Sequence, residues 1–422
     1  MMIYNLLMIK MLIFFQKGAR LVVNTDNNKI ETNLPASSSG FQTGKILALS
    51  ICHFIHDIYS SFLAPLLPLF IEKLSMSLSQ AGLLASVAQI PSLLNPYIGT
   101  LADRISVRYF IILAPAMTAV PMSLIGLAPS YGVLMILLFI TGISVAVFHV
   151  PSPVMISRLS GTKKGLGMSF YMTGGELARS VGPLVAVGTV SLMGLEGFYP
   201  IMLFGLIASC WLYFKFRDMP VNVDKRRRVS AMETWHEMRF ILLPLTAILV
   251  ARGFMHASMT FFLPTFIKIE TGNLWLAGAS LTMFECAGVV GILAAGHFSD
   301  RFGRRQILLT ALLSAPLSLL LFVWSGGWLR YLALLFSGFT ILSTTPVMLA
   351  LVQEHAKNSP SAANGFFMMI SFMARSAIVV IVGLIADFVG LHATYLFSAV
   401  LSLLGIPFIL MLPKVDRLKA EG

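Results

Sequence analysis

Ionisable side chains inside apolar segments are the residues of this sequence best placed to do chemistry. Asp57 follows the start of its apolar segment by about 12 positions, roughly 18 Å of helix, and His53 lies one turn earlier on the same face. If this segment crosses a bilayer core about 30 Å thick, both side chains lie near its middle. Charged groups at that depth are costly and usually face a cavity or a partner. The pair is therefore a functional candidate.

Carboxylate and guanidinium groups recur in later apolar segments. Glu176 and Arg179 are three residues apart and share one face of a helix, whereas Arg375 has no obvious acidic partner on its own segment. Arginine keeps its charge in apolar surroundings, and its planar fork binds a carboxylate or phosphonate through two hydrogen bonds. We therefore expect an anionic or zwitterionic ligand to be bound by Arg179, Arg252, Arg375, His149 and Gln89.

A second expected role of these residues is proton transfer. Carboxylates exchange protons, and histidine changes its charge near neutral pH. We expect Asp57 and Glu176 to be the main proton carriers, within a coupling set of Asp57, His53, Glu176, Glu285 and His256. The alternative is that the charged residues pair with one another and only brace the helices. It applies directly to Glu176 and Arg179, which can neutralise each other.

The composition places these residues in a membrane protein. The chain is 57% hydrophobic and 11% charged, with a mean hydropathy of +0.84, whereas soluble domains carry about 25% charged residues. A transmembrane helix needs about 20 apolar residues, so the chain has room for about twelve. The predicted fold is an all-α polytopic membrane protein with spans at residues 46–71, 79–101, 108–128, 131–156, 164–190, 196–216, 238–268, 274–298, 304–324, 327–354, 361–386 and 390–412.

The net charge of +12 follows the predicted topology. Nearly all basic loop residues fall on one side of the spans, and the opposite side receives only Lys73, Lys268 and Arg330. Basic loops remain in the cytoplasm, so we expect both termini there, with the chain embedded in the lipid bilayer of the cell inner membrane. A topological origin of the charge also argues against a nucleic-acid partner.

The predicted spans repeat in two halves. Offsets of 196 to 199 residues align Asp103 with Asp300 (300 − 103), Pro65 with Pro264 (264 − 65), and Arg179 with Arg375 (375 − 179). The same relation puts Arg252 and His256 at the positions of His53 and Asp57. Parallel repeats of this kind place a ligand site near the membrane midplane, between the halves. We therefore predict two pseudo-symmetric six-helix bundles around a charged pocket.

Polar stretches set the predicted domain boundaries. The run KRRR lies in the longest hydrophilic stretch after residue 44, and residues 24–40 are polar and rich in turn formers. We predict an N-terminal extension that is disordered or lies on the surface (1–44), a first bundle (45–216), a cytoplasmic linker (217–238), a second bundle (239–413) and a cytoplasmic tail (414–422).

Two loops carry the most specific motif. GHFSDRFGRR follows the eighth span, and GTLADRISVR follows the second. Glycine permits close helix approach and tight turns, and the Asp and Arg side chains can pair with each other and with helix ends. The loops resemble the signature loop of the major facilitator superfamily, which implies a conformational latch at Gly99, Asp103, Arg104, Gly296, Asp300, Arg301, Gly303, Arg304 and Arg305. Ser106 and Val107 replace the second glycine in the first copy, which implies a weaker latch there.

Within that superfamily, the sequence is similar to the fosmidomycin-resistance family. LSICHFIHDIYSSFLAPLLPLF, GMSFYMTGGELARSVGPL and GLIADFVG carry the resemblance, which implies the major facilitator fold and efflux of a drug or organic anion. Two departures stand out. The chain reads Phe148-His149-Val150-Pro151 where the family commonly reads Phe-His-Pro-Glu, and Glu176 stands where an amide is expected. Substrate and proton coupling are therefore expected to differ from those of the namesake.

Together these features predict a secondary active transporter. The expected activity is proton-coupled efflux, by antiport, of a small anionic or zwitterionic compound or drug through alternating access, in a functional monomer. Proton-coupled uptake of an organic anion is the first alternative. The second is a membrane-embedded metal-dependent enzyme built on His53, Asp57, His149 and Glu176. The chain has no HExxH motif, and Cys52, Cys210 and Cys286 lack metal-ligand spacing, so neither a metal nor another cofactor is expected.

Overall fold

The structure is a computed structural model that describes residues 40–95, 98, 108–161, 164–217, 231–356 and 360–413. These residues form helices and turns, with no β-strand among them. The principal helices are α1 (Thr43–Leu74), α2 (Leu78–Leu94), α3 (Arg108–Leu127), α4 (Tyr131–His149), α5 (Lys164–Met193), α6 (Tyr199–Phe216), α7 (Met232–Thr271), α8 (Leu274–Phe302), α9 (Arg304–Trp324), α10 (Gly327–His355), α11 (360–389) and α12 (391–411). A short helix, Ser152–Leu159, follows α4.

These helices confirm the predicted all-α membrane fold. Within the described residues, nine helical stretches are long and apolar enough to cross a membrane. The longest, Gly365–Met411, is broken at Gly390, whose φ of 79° is a conformation that glycine adopts readily, so it supplies both α11 and α12. The 30-residue α5 and the shorter apolar α2 occupy the two remaining predicted spans. Each predicted span therefore corresponds to a helix.

The fourth predicted span extends further than its helix. It was expected to reach residue 156, but α4 ends at His149 and the chain turns at Val150 and Pro151 before the short helix begins. Proline has no backbone N–H and disfavours helical geometry in the residue before it. His149, a predicted site residue, therefore lies at the end of α4.

Helices α1 and α7 are interrupted at positions related by the repeat. In α1 the helix Thr43–Ser60 ends before Leu63–Leu74 begins, and in α7 a π-helical turn, Ser258–Phe262, separates two α-helical parts. Pro65 and Pro264 directly follow these interruptions. A proline early in a helix leaves a backbone carbonyl of the preceding turn without its donor, and this explains why the helix is interrupted there. Both interruptions lie just beyond the charged residues of the same helix.

Several helix contacts join the predicted first and second halves among the described residues. Helix α5 packs along α8, α2 packs along α11, and the second parts of α1 and α7 also contact each other. The Ser86 hydroxyl of α2 donates to the Ser376 carbonyl oxygen of α11 at the second contact. Large apolar side chains such as Leu192 and Phe388 face outward, 88% and 86% exposed, as lipid-facing residues of a membrane protein do. Residues 1–39, most of the predicted linker and the predicted tail lie outside the described residues.

Candidate functional site

The buried carboxylate of Asp57 is the centre of one group of candidate residues. Its oxygens lie 3.3 Å from His53 Nε2, 2.9 Å from His56 Nδ1 and 3.2 Å from His149 Nε2. Asp57 is 3% exposed, His53 4% and His56 0%. We call these four residues the histidine cluster. The structure brings together three residues that the sequence singled out, and adds a fourth.

The sequence interpretation missed His56. Neighbouring residues on a helix point in different directions, so a histidine directly before Asp57 gave no reason to expect a contact with its carboxylate. In the structure the His56 ring turns towards Asp57 while it stacks on Phe148 of α4, with ring centroids 4.4 Å apart. The sequence did contain a signal, the adjacent pair Phe148-His149 in α4. Spacing alone did not show that Phe148 would pack against His56.

Helix α5 fixes the orientation of His53. The imidazole ring stacks on Tyr171 with centroids 4.1 Å apart, and Nδ1 lies 2.8 Å from the Tyr171 carbonyl oxygen. A carbonyl oxygen only accepts hydrogen bonds, so Nδ1 is the donor. Gly175 provides the space for the ring, because a Cβ at that position would lie 2.6 Å from His53 Cε1. The Nε2 atom is thereby aimed at Asp57.

Glu176 and Arg179 form an ion pair on α5. Arg179 Nη2 contacts Glu176 Oε1, and Arg179 Nη1 lies 4.0 Å from Asp57 Oδ2. The Arg179 side chain is 44% exposed, so it is accessible to a solute as well as to these carboxylates. Arg179 therefore has two acidic neighbours and connects the histidine cluster with Glu176.

A second group of candidates comes from α7, α8 and α11. Arg252, His256, Glu285 and Arg375, which we call the arginine group, interact electrostatically with one another. Arg252 is buried and donates to the Ile341 carbonyl oxygen at 3.2 Å and to Thr345 Oγ1 at 3.1 Å, while its Nε has no acceptor among the described residues. Arg375, by contrast, is exposed, and the group holds a single carboxylate for its two guanidinium groups.

The members of the arginine group make few direct polar contacts with each other. Among the described residues, no carboxylate lies within ion-pair distance of Arg252 or Arg375, and the Arg375 guanidinium lies over the Phe372 ring at 5.7 Å. Glu285 is buried, 8% exposed, and interacts with Arg179 and Arg375 only through longer-range electrostatics. His256 Nδ1 lies 3.4 Å from Thr260 Oγ1. The group therefore has unused hydrogen-bonding capacity.

Gln89, the remaining predicted ligand, lies at the end of the first part of α2. Its Oε1 atom is buried and has no hydrogen-bond partner among the described residues. A buried amide oxygen without a partner costs about 1–3 kcal/mol, so a bound solute that donates a hydrogen bond would recover that cost. This observation fits its predicted role as a ligand.

The second signature loop makes an ion pair that the motif did not predict. Arg304 binds Glu354 at the end of α10, with Nη2 2.8 Å and Nε 3.0 Å from Oε1, and also contacts the Ser299 hydroxyl. Gly303 turns the chain with φ of 94°. The side chain of Asp300 and the first-loop residues Gly99, Asp103 and Arg104 lie outside what the structure describes.

One glycine of this loop makes no close approach to the described residues. Gly296 was expected to allow close helix approach, and a Cβ built there would meet no described atom within 4 Å. The neighbouring Arg301 guanidinium lies over the Phe302 ring at 5.6 Å, and Arg305 starts the first turn of α9. The tight turn therefore depends on Gly303, and the latch role of Gly296 stays a prediction.

A contact at the opposite end of the helices joins α11 to α2. Asp387 Oδ1 accepts from the backbone N–H of Leu78 at 2.7 Å, and Oδ2 accepts from that of Ser79 at 2.9 Å. A carboxylate at a helix N-terminus satisfies free N–H groups and complements the helix dipole. Asp387 stands in the quoted GLIADFVG segment, but only the packing of α2 against α11 reveals its partner.

Comparison with known proteins places these features in context. A family model described as "Major Facilitator Superfamily" matches residues 49–379 and 275–421. The chain is 25% identical over 374 residues to the "Fosmidomycin resistance protein" of Escherichia coli, covering 86% of this chain and 91% of that protein. It is 24% identical over 389 residues to the "Uncharacterized MFS-type transporter YfnC" of Bacillus subtilis, covering 89% of this chain and 94% of that protein.

The fold also resembles that of solved transporters. A bacterial homolog of the human lysosomal transporter Spinster, in an inward-facing and occupied conformation, superposes with a TM-score of 0.77. That match covers 89% of this chain and 97% of the other chain at 15% identity. Identity this low carries information about the fold alone, and the fold agrees with the twelve predicted helices.

Proposed function

Because this chain belongs to the Major Facilitator Superfamily, we propose that it exports a small anionic or zwitterionic compound in exchange for protons. The family establishes a multi-pass membrane transporter of small molecules rather than an enzyme. Our proposal adds the direction, the driving ion and the substrate class. It also places the chain in the cell inner membrane with both termini in the cytoplasm, as a functional monomer.

The observation that carries the substrate class is the free guanidinium group of Arg375. It has no carboxylate within ion-pair distance among the described residues, and neither does Arg252 nearby. The burial of Arg252 is costly unless an anion compensates its charge, and the exposed side chain of Arg375 is accessible to a solute. A carboxylate or phosphonate bound between them would supply that anion through paired hydrogen bonds.

The charges of the whole pocket favour a substrate with two ends. The second half offers Arg252 and Arg375 against Glu285, whereas the first half offers Arg179 against Asp57 and Glu176. A zwitterion fits this distribution with its anionic end towards α7 and α11 and its cationic end towards α5. A simple anion uses only the arginine side.

Glu285 is the carboxyl group best suited to carry the proton. It is buried and has no hydrogen bond or ion pair with a described residue, although Arg179 and Arg375 lie within electrostatic range. Asp57 and Glu176, the carriers favoured from the sequence, already have cationic or imidazole partners. A carrier must gain and lose its proton as its surroundings change, and Glu285 can do so without breaking a direct pair. His53 and His256 then tune the pocket.

Alternating access supplies the mechanism in this proposal. Residues 45–216 and 239–413 would move as two bundles about the central charges, with the contacts α2–α11, α5–α8 and α1–α7 at their interface. Asp387 of α11, bound to the first backbone N–H groups of α2, holds one end of that interface, and Arg304 with Glu354 braces the signature loop at the other. Proton and substrate binding at Glu285 and Arg375 would bias which end opens.

The direction of transport rests on the fosmidomycin resistance protein of Escherichia coli, whose name indicates resistance to a drug. Uptake of an organic anion with protons is the second candidate. It is favoured by the same free guanidinium groups, because they would bind an anion from either side of the membrane.

Everted membrane vesicles test the proposal. Labelled fosmidomycin, a phosphonate, is supplied to energised everted vesicles with and without a protonophore. Protonophore-sensitive accumulation above that of empty-vector vesicles is the expected result. Absence of accumulation there, combined with proton-dependent uptake of labelled organic anions into right-side-out vesicles, would replace export by uptake.

A further inference from the structure

The histidine cluster contains an arrangement that its contacts within the protein leave unexplained. His53 Nδ1 is the hydrogen-bond donor to Tyr171, so in a neutral ring Nε2 carries the lone pair. That atom lies 3.3 Å from Asp57 Oδ2, yet it has no hydrogen-bond partner among the described residues. Two atoms that both offer lone pairs face each other in a buried space, which favours a cation between them.

From this geometry we infer that His53, Asp57 and His149 form a binding site for a divalent transition metal such as zinc. One ligand atom from each residue lies within 4.8 Å of the other two. Zinc binds histidine nitrogen and carboxylate oxygen at about 2.0–2.2 Å, so neighbouring tetrahedral ligands are about 3.4 Å apart. The distance from His53 Nε2 to Asp57 Oδ2 is 3.3 Å, and that from His149 Nε2 to the other carboxylate oxygen, Oδ1, is 3.2 Å; each is close to that spacing.

The surroundings resemble the outer shell of a metal site. A histidine that binds a metal through one ring nitrogen usually donates the other N–H to a carbonyl or carboxylate, as His53 does to Tyr171. His56 Nδ1 lies 2.9 Å from Asp57 Oδ1 and orients the carboxylate. His149 is 26% exposed and gives an ion a route to the otherwise buried ligands. A solvent molecule would complete four-coordination.

The donor set selects the class of ion. Two imidazoles and one carboxylate suit zinc, cobalt or nickel, whereas magnesium and calcium prefer oxygen ligands only. Arg179, 4.0 Å from Asp57 Oδ2, is the competing cation at this carboxylate. All three ligands come from α1 and α4, so the metal would fasten two helices of the first half without crossing the contacts between the halves. The inference is thus independent of the proposed direction and substrate of transport.

Cobalt(II) binding to the purified full-length protein tests the site. The affinity tag is removed, the protein is dialysed against a chelator, and cobalt(II) chloride is titrated while visible absorption is recorded. We expect four-coordinate cobalt bands that saturate at one ion per chain, displacement of cobalt by zinc, and a higher Tm with zinc than without it. Absence of the bands at millimolar cobalt would overturn the proposal and leave a proton as the shared cation.

Matched variants locate the ion. His149→Ala and His53→Gln should each weaken cobalt binding at least tenfold, whereas His392→Ala, an exposed histidine of α12, should bind as the unaltered protein does. His149→Gln retains side-chain volume and provides the same test if the alanine variant does not fold. Unchanged cobalt affinity in the His149 and His53 variants would refute the assigned ligands.

Discussion

The histidine cluster and the arginine group share one pair of corresponding helices of the repeat, α1 and α7, but have opposite chemistry. In α1, Asp57 has three imidazoles and a guanidinium group within 4.0 Å. In α7, the corresponding residue is His256, and Arg252 replaces His53 one turn earlier. The first region surrounds one anion with many partners, and the second leaves two cations without a carboxylate in direct contact among the described residues. The repeat therefore preserves where charge is placed and changes what that charge can bind.

This difference suggests a division of roles. Groups that already satisfy each other hold helices together, and buried groups without a partner are available for a ligand. We therefore assign substrate and proton exchange to the arginine group, and rigidity with metal binding to the histidine cluster. Each of the following variants tests whether the two regions are separable in this way.

Arg375→Ala should have the largest effect on transport. Loss of charge-assisted hydrogen bonds costs about 1.5–3 kcal/mol each, so binding of an anionic substrate should weaken about 10- to 100-fold. Equilibrium binding of labelled fosmidomycin to purified protein measures this loss. Arg239→Ala removes an exposed arginine outside the group and should bind normally. Equal binding by both variants would remove Arg375 from the site.

Glu285→Gln should separate binding from coupling. The amide keeps the shape of the side chain but exchanges no proton, so protonophore-sensitive accumulation in everted vesicles should disappear while substrate binding stays within a few-fold. Asp57→Asn, measured in parallel, should retain more of the proton dependence. If Asp57→Asn abolishes it and Glu285→Gln does not, the proton carrier lies in the histidine cluster and the assigned roles are reversed.

The same two variants should affect stability in the reverse order, with Asp57→Asn the more damaging. Asp57→Asn leaves buried imidazoles without their anion, and an unsatisfied buried polar group costs about 1–3 kcal/mol. Its Tm in detergent should therefore fall by several degrees. Glu285→Gln removes no direct contact with a described residue and should change Tm little. Similar falls in both variants would show that Glu285 has a bracing role as well.

Much of this comparison was accessible from the sequence, because helices and repeats leave periodic signals. The twelve spans follow from apolar length, and the offset between Arg179 and Arg375 indicated both corresponding positions. What the sequence did not reveal are contacts between distant helices. His149 reaches Asp57 from α4, Glu354 reaches Arg304 from α10, and Asp387 reaches α2 from α11. Such partners depend on packing angles and helix ends, which no spacing rule specifies.

The metal site shows the same limit. Zinc motifs are recognised when their ligands lie close together in sequence, but here the ligands are His53 and Asp57 on one helix and His149 on another. The sequence raised these three residues as metal ligands, with Glu176, only in the alternative of a metal-dependent enzyme, and the absence of a local motif led to the expectation of no metal. The exclusion of a metal from spacing alone applies to local motifs and does not extend to ligands assembled by the fold.

An ion pair expected outside the membrane should contribute least to thermal stability. It serves as the reference against which the contributions of the buried groups are compared. Lys73 Nζ lies 2.8 Å from Glu196 Oε1 in the loop before α6, and also donates to the Gly126 carbonyl oxygen. The hydrogen bond from Lys73 lowers the pKa of the Glu196 carboxyl. A lowered pKa in the folded state means that the carboxylate stabilises the fold above its ordinary pKa of about 4.3, and that this contribution is lost as pH falls through the lowered value.

Glu196→Gln should accordingly lower Tm only slightly at neutral pH, because exposed ion pairs are screened by water and salt. The difference from the unaltered protein should vanish at acid pH, where both carry an uncharged side chain, and shrink at high salt. Thermal scans across pH measure both trends. A large effect of Glu196→Gln beside a small effect of Asp57→Asn would contradict the view that burial, rather than the number of charges, gives the histidine cluster its bracing role.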